Sequence, residues 1–346
     1  MERVPLSIQK HMKLLVTGGM GFIGSNFIRH IYKKYPLYAI INYDALTYAG
    51  NPENLSDIEQ EETAKGDSRR YFFVHGDIAD AKAVNDALKK YGSDVIINFA
   101  AESHVDRSLV DSGEFIRSNI VGVQNLLQIA RVNGIKFIQI STDEVYGDVP
   151  AGYSDEESPI RPSNPYAASK AGADLLAQSY IRSHGAPVII VSGSNNFGPY
   201  QYPEKLIPLA ITNIIEGKPI PVHGNGKHIR TWLHTGDFAE GIDVVLHQAK
   251  NGSIYNIAGH EDSNLGVLSR VAGHLDASPG KVFLHVGDRP GADLRYAPHG
   301  GKIERELGWK PRRHLHEALP EIVDWYVNNP GWWKKVKEKK EFSDHY

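Results

Sequence analysis

The chain has 346 residues, with 38 Lys+Arg against 41 Asp+Glu, a net charge of −3, and no cysteine. That balance excludes a strongly basic nucleic-acid binder, and 41% hydrophobic residues exclude a disordered chain. Without cysteine there is no disulfide framework, no Cys-ligated metal centre and no thiol nucleophile, which accords with a cytoplasmic setting.

Residues 1–12 lack the apolar core of a signal peptide and read as an extension, because patterned sequence begins at Lys13. Short β-rich runs follow at Lys13–Thr17, Ala39–Tyr43, Tyr71–His75, Val95–Phe99, Lys136–Ser141 and Pro187–Val191. Between them lie amphipathic helical patterns at Phe22–Lys34, Ala81–Tyr91, Glu114–Val132 and Tyr166–Ser183. Strands alternating with helices predict right-handed crossovers and a doubly wound parallel sheet over residues 13–191. From residue 192 the sequence becomes richer in Pro, Gly and His, which predicts a smaller C-terminal lobe over 192–346 that binds substrate. Segments near Thr231–His247 and Ser253–Ile257 are expected to return to the first domain. All five Trp (232, 309, 325, 332 and 333) fall in the last third of the chain. No apolar run approaches the ~18 residues that span a bilayer, so no membrane association is expected. The lysine-rich tail from Lys334 reads as a solvated helix end rather than a nucleic-acid patch.

The run Val16-Thr-Gly-Gly-Met-Gly-Phe-Ile-Gly24 sets Gly18, Gly21 and Gly24 at G-x-x-G-x-x-G spacing between a strand and a helix. Gly18 allows the tight turn, Gly21 lets a pyrophosphate approach the backbone, and Gly24 lets the helix pack closely on the sheet. The free N–H groups of the helix start, at Phe22 and Ile23, suit phosphate. A glycine triplet alone is a common turn. Here Asp44 also ends the next strand, 20 residues after Gly24, where a carboxylate meets ribose hydroxyls and repels a 2′-phosphate. NAD is therefore the expected cofactor in a Rossmann-like α/β fold, with Asp77 and Ile78 placed near the adenine.

Tyr166 and Lys170 lie at i and i+4 at the start of a predicted helix, so they share one face. A nearby ammonium stabilises a phenolate, which lets Tyr166 act as a base. Taken alone, Y-x-x-x-K is a surface pair. With the dinucleotide turn and Ser141-Thr142 at a strand end, it resembles the extended short-chain dehydrogenase/reductase superfamily, from Lys13 to about Trp333. The adjacent carboxylates Asp143 and Glu144 are sharper, because a simple dehydrogenase needs no additional acid and base at a strand's C-terminal end. Together with Ala100-Ala-Glu-Ser-His-Val-Asp-Arg107 and Ser194-Asn-Asn-Phe-Gly-Pro-Tyr-Gln-Tyr-Pro-Glu-Lys-Leu-Ile-Pro208, they closely resemble nucleotide-sugar 4,6-dehydratases. The resemblance implies oxidation at C4 of the hexose, loss of water across C5 and C6, and return of hydride to C6. It gives Tyr166 the C4 hydroxyl proton, Thr142 a hydrogen bond to the same oxygen, Glu144 the C5 proton, and Asp143 the proton for the departing hydroxyl. Lys170 would also reach the nicotinamide ribose, with Ala100, Ala101 and Ser103 against the cofactor.

The same resemblance assigns the nucleotide-diphosphate sugar to Ser103, His104, Asn195, Glu204, Lys205, Leu206, Arg230, Asn256, Arg295 and Tyr296, and implies a homodimer packed through Glu114–Val132 and Tyr166–Ser183. No metal is expected, since His223, His228 and His234 lack ligand spacing. The chain departs from the family at Thr231 (usually Asp), Ala292 (usually His), Gly193 (commonly Cys) and Ala258–Asp262 (usually a Gly-Gly-Asn-Asn-like run). Catalytic motifs are intact while the substrate lobe differs, which leaves dTDP- and UDP-linked hexoses both open. An enzyme acting at C4, C5 or C6 of a UDP-N-acetylhexosamine or its 5,6-ene derivative is the alternative. A non-catalytic NAD-binding regulator is the remote one.

Overall fold

The computed structural model describes residues 11–288, 291–339 and 342; residues 1–10 of the expected extension lie outside them. The first half alternates strand and helix: β1 (Lys13–Thr17), α1 (Phe22–Lys34), β2 (Ala39–Asp44), α2 (Ser56–Ala64), β3 (Tyr71–His75), α3 (Ala81–Tyr91) and β4 (Val95–Asn98). Next come α4 (Val105–Val110), α5 (Gly113–Ile116), a π turn over Arg117–Gly122, α6 (Val123–Asn133), β5 (Lys136–Thr142), α7 (Pro165–His184) and β6 (Val188–Gly193). The helix expected over Glu114–Val132 is therefore present and continuous, widened to a π turn over Arg117–Gly122. Asn119, inside the π turn, bonds the Glu102 backbone (2.9 Å at both N and O) and Ser169 Oγ (2.8 Å), the kind of side-chain contact that accompanies such turns.

The second half runs β7 (Asn195–Phe197), α8 (Leu206–Ile215), β8 (Ile220–His223), β9 (Ile229–His234), α9 (Thr235–Gln248), β10 (Ile254–Ile257) and β11 (His260–Ser263). It ends with α10 (Asn264–His274), α11 (Pro279–Val282), β12 (Phe283–Val286), α12 (Gly301–Leu307), α13 (Leu315–Asn328) and α14 (Pro330–Lys337).

Seven strands form one parallel sheet in the order β10-β6-β5-β4-β1-β2-β3. Its strands read as apolar runs because both faces are covered. Side chains alternate along β1: Leu14 and Val16 join a core with Phe27, Ile28, Ile31 and Ile242, under α1 and α9. Leu15 joins the opposite core with Leu126, Leu127, Phe137, Ala173 and Ala177, under α6 and α7. The late segment β10 completes the sheet beside β6, with Ile254 opposite Ile190.

A third core gathers Phe197, Ile207, Ile211, Val222, Trp232, Leu268, Leu319 and Trp333 from β7, α8, β8, β9, α10, α13 and α14. Two small sheets, β11-β9-β7 and β12-β8, frame it. Trp232, Trp325, Trp332 and Trp333 belong to or pack on this core, and Trp309 belongs to the core under α1 and α9. Among the described residues, no helix is long and apolar enough to cross a membrane.

Candidate active site

In an open parallel sheet, ligands bind beyond the carboxyl ends of the strands where the strand order reverses. Here that point lies between β1 and β4, and a cleft of about 320 Å³ opens over it. The glycine turn forms one wall. Gly18 has φ of +70°, and a Cβ there would sit 2.5 Å from the Ala100 backbone nitrogen. A Cβ on Gly24 would strike the Gly18 carbonyl, whereas Gly21 faces open space apart from that carbonyl at 3.3 Å. The helix α1 begins at Phe22 with no side-chain cap, which leaves its first N–H groups for a ligand.

Two carboxylates frame the far end of the cleft. Asp44 is 7% exposed and accepts backbone hydrogen bonds from Met20 (2.9 Å) and Leu46 (2.7 Å). Burial raises its pKa, and those two hydrogen bonds oppose the rise. Asp77 accepts from Arg117 (2.5 Å) and from the Ala79 N–H (2.8 Å). Gly18, Gly21, Phe22, Ile23, Gly24, Asp44, Asp77, Ile78, Ala100, Ala101, Ser103, Tyr166 and Lys170 all line this one cleft. A glycine cradle that a Cβ would close, an uncapped helix start and a carboxylate at the next strand end fit a dinucleotide such as NAD.

The catalytic candidates meet at its other end. Helix α7 is started by Asn164, whose side chain accepts from the Ala167 N–H (2.9 Å), and by Pro165 in the first turn. That start fixes Tyr166 at the cleft, 9% exposed, with Lys170 one turn on at 5%. The ammonium donates to the Ile140 carbonyl at 2.6 Å. Thr142, Asp143 and Glu144 follow the end of β5. The Thr142 hydroxyl donates to Asp143 (3.3 Å), accepts from the Glu144 N–H (3.3 Å) and hydrogen-bonds the Tyr166 phenol.

Burial dominates the charges here. It pushes Asp143 up to about 8, with Glu144 adding to the rise, so Asp143 holds a proton at neutral pH. Burial also raises Glu144, against the pull of Arg230. The Tyr166 phenol is driven up by burial and by Glu144, and the Lys170 ammonium is brought down to about 8 by burial. Asp143 Oδ2 and the Asn195 and Asn196 side-chain oxygens have no hydrogen-bond partner among the described residues, and all three residues line the cleft. A buried acid, a second carboxyl and a phenol on one wall can move protons to and from three neighbouring atoms of one substrate.

The structure brings some of the expected substrate residues to this wall. Asn195, Glu204, Lys205 and Ser103 line the cleft, and Lys205 Nζ donates to the Ser103 carbonyl at 3.3 Å. Tyr296 donates to Glu144 (3.4 Å) and to Asp293 (2.7 Å), with the Arg230 guanidinium stacked 4.3 Å over its ring. His104 sits one layer back, capping α4 and lying 3.4 Å from Glu204. Leu206 opens α8 and packs on the third core.

Two other expected substrate residues do not line the cleft and are engaged elsewhere. Arg295 is held by Glu261 (2.6 Å) and by the Val149 (2.9 Å) and Gly152 (2.8 Å) carbonyls. Asn256 is fully buried beside β6 and accepts from Tyr146 at 2.9 Å. Sequence reasoning missed Glu102 and Tyr48, which line the cleft, and Asp174, which lies behind it. Only Asp174 carried a local signal, its i+4 spacing from Lys170.

Comparison with known proteins agrees with this geometry. The GDP-mannose 4,6 dehydratase family model matches residues 15–322. A dTDP-glucose 4,6-dehydratase from Salmonella typhimurium is 44% identical, over 94% of this chain and 96% of its own. One from Streptomyces niveus is 44% identical, over 95% and 97%. The crystal structure of the Streptomyces venezuelae dTDP-glucose 4,6-dehydratase with NAD bound superposes with a TM-score of 0.89, at 45% identity over 94% of this chain and 100% of that one. The chain belongs to the GDP-mannose 4,6 dehydratase family, among the nucleotide-sugar dehydratases of the extended short-chain dehydrogenase/reductase superfamily.

Proposed function

We propose that the chain is an NAD-dependent dTDP-glucose 4,6-dehydratase, converting the nucleotide-linked hexose to its 4-keto-6-deoxy form. The observation that carries this reading is the buried Asp143 and half-buried Glu144 side by side on the same wall as Tyr166 and Lys170. The glycine turn, Asp44 and Asp77 would hold NAD, whose nicotinamide supplies two-electron redox chemistry, taken up at C4 and returned at C6.

The protein's own groups carry the protons. Tyr166 takes the C4 hydroxyl proton, with the Lys170 charge favouring phenolate and Thr142 steadying the same oxygen. A C4 ketone acidifies the C5 hydrogen, which Glu144 removes; Asp143, neutral up to about pH 8, protonates the C6 hydroxyl as it leaves. Once Glu144 has returned a proton to C5, Tyr166 is one proton richer and Asp143 one poorer. The Thr142 hydroxyl touches both groups, so the site holds its donor and its acceptor on one bridge.

Residues 13–191 with β10 would hold the cofactor, and the elements of the third core would hold the nucleotide sugar. In this arrangement Arg230 is the arginine beside the acids, and Arg295 fixes the 148–153 loop. Incubation with dTDP-glucose in D2O should give the 4-keto-6-deoxy product with solvent deuterium at C5; a product that keeps its C6 hydroxyl overturns the reading. A parallel panel of UDP-glucose, UDP-N-acetylglucosamine and its 5,6-ene derivative, read by mass spectrometry, tests whether the nucleotide or hexose differs.

A further inference from the structure

The proposed chemistry uses Asp143, Glu144, Tyr166 and Lys170, and leaves a titratable group on the same helix as Tyr166 and Lys170 without a task. Asp174 lies one turn beyond Lys170 on the same face of α7 and is 3% exposed. Its Oδ2 accepts a hydrogen bond from Ser141 Oγ at 2.6 Å, the residue just before Thr142. Its Oδ1 has no partner among the described residues.

Asp174 also lines a second cavity, of about 220 Å³, behind the catalytic segment. That space lies between α7 and the 156–160 loop, against Tyr146 and Ser192, with Glu157 and Arg182 on its exposed side. It is several times the ~30 Å³ that one water occupies, and its walls carry polar groups that hold water. A buried carboxyl kept only for packing is expected to be fully hydrogen-bonded. This one has a single protein donor, a cavity lined by polar groups and a buried ammonium one helical turn away.

We infer that Asp174 is a positioning residue acting through Lys170: its carboxylate, hydrated from the rear cavity, keeps the Lys170 ammonium charged at the working pH. The inference rests on the reading of Lys170 as the partner of Tyr166. Among the described residues, no carboxylate lies within ion-pair distance of Lys170, whose hydrogen bond goes to the neutral Ile140 carbonyl. Burial brings Lys170 down to about 8, and Asp174 is the charge that opposes this. Burial pushes Asp174 up to about 6, against Ser141 and Lys170, so both are charged between those values. The other groups around Asp174 are the Tyr146 phenol, Glu156, Glu157, Gln178 and Arg182. Glu156 is committed to the Asn256 N–H (2.8 Å), and Arg182 donates to Gln178 (3.4 Å).

The test is the titration of Lys170 in the NAD-loaded protein, by NMR of 13C-labelled lysine side chains assigned with Lys170→Arg. Asp174→Asn removes the anion and should lower the Lys170 midpoint by about one pH unit, a tenfold change in its proton affinity. Asp174→Glu should restore most of it. In step, kcat/KM of Asp174→Asn should fall about tenfold more at pH 8 than at pH 6.5. Asp143 shares that alkaline limb, so the NMR midpoint decides. An unmoved midpoint in folded Asp174→Asn overturns the inference. Should that variant not fold, Asp174→Ser removes the same charge with a smaller side chain and should lower the Lys170 midpoint likewise; no change there overturns it equally. Absence of turnover with every sugar nucleotide would instead strike the dehydratase reading, and leaves the NMR result standing by itself.

Discussion

A carboxyl that is 2% exposed beside Glu144 keeps its proton to about pH 8, and this fixes both what Asp143 can do and what it does to the fold. As the acid, it is competent through neutral pH and fails as pH rises past that value. Asp143→Asn leaves Glu144 and Tyr166 in place, so water loss should fall roughly 10²–10⁴-fold while D2O still labels C5 in recovered hexose. Glu144→Gln should stop both; loss of labelling in Asp143→Asn would argue against the acid role. The same carboxyl has a stability consequence. The unfolded chain ionises it above about pH 4, whereas the folded protein does so only near pH 8, so stability declines as pH rises through that interval. An amide removes the penalty, and Asp143→Asn should melt higher than wild type at pH 7.5, by at least about 1.4 °C, the shift that 1 kcal/mol gives at about 2.1 cal/mol/K per residue in this chain. A lower melting point would mean that the neutral acid's own contacts matter more than its desolvation.

Among the elements, α1 and α9 are joined by one buried carboxylate. Asp243 is 1% exposed and receives His30 (2.8 Å), Lys34 (2.6 Å), Tyr35 (2.9 Å) and His247 (2.9 Å). Burial alone raises its pKa, but the donors from His247, His30 and Lys34 more than reverse this and hold it well below the usual carboxylate range. Its contribution is therefore present above about pH 4 and is lost as pH falls toward the depressed value. Asp243→Asn keeps the shape and removes the charge under three cationic or titratable partners; urea unfolding at pH 7 should show a loss of about 3 kcal/mol, shrinking in acid. Elements whose geometry is set by near neighbours are the ones that the sequence reveals. The glycine turn, Asp44 at a strand end and the Tyr166–Lys170 spacing follow from chain-local rules, and the structure brings them to one cleft. The π turn at Arg117–Gly122 does not, because Asn119 bonds to Glu102 and Ser169, which are 17 and 50 residues away. Arg295 is the same lesson in a side chain: an arginine in a family-like run reads as a phosphate ligand, yet Glu261 on another strand takes it.

At the scale of the whole molecule, the cleft joins cores built from distant parts of the chain, and α14 locks them together. Trp332 donates to Asn54 (2.9 Å), and Lys335 pairs with Glu53 (2.7 Å), so the C-terminal helix reaches back to the loop after β2. The outer face of α4, α5, the π turn and α7 behaves differently. Val110 (88%), Leu175 (55%), Ile116 (50%), Val121 (44%) and Leu109 (41%) are all exposed there, on helices that pack against one another. Single apolar residues are ordinary on a surface, but these five lie on four helical segments that contact one another, a concentration of apolar side chains that water solvates poorly. The catalytic residues of α7 point inward, so covering its outer face leaves the cleft open. A second copy related by a two-fold axis would bury this patch against itself, helix pair on helix pair. Light scattering of wild type at micromolar concentration should therefore read twice the chain mass of 38.4 kDa. Val110→Asp combined with Leu175→Glu puts two like charges on each side of the symmetric contact and should return the mass to that of one chain, with NAD binding retained because neither residue lines the cleft. A wild-type protein that is already monomeric, or a double variant that stays dimeric, would place any self-contact elsewhere.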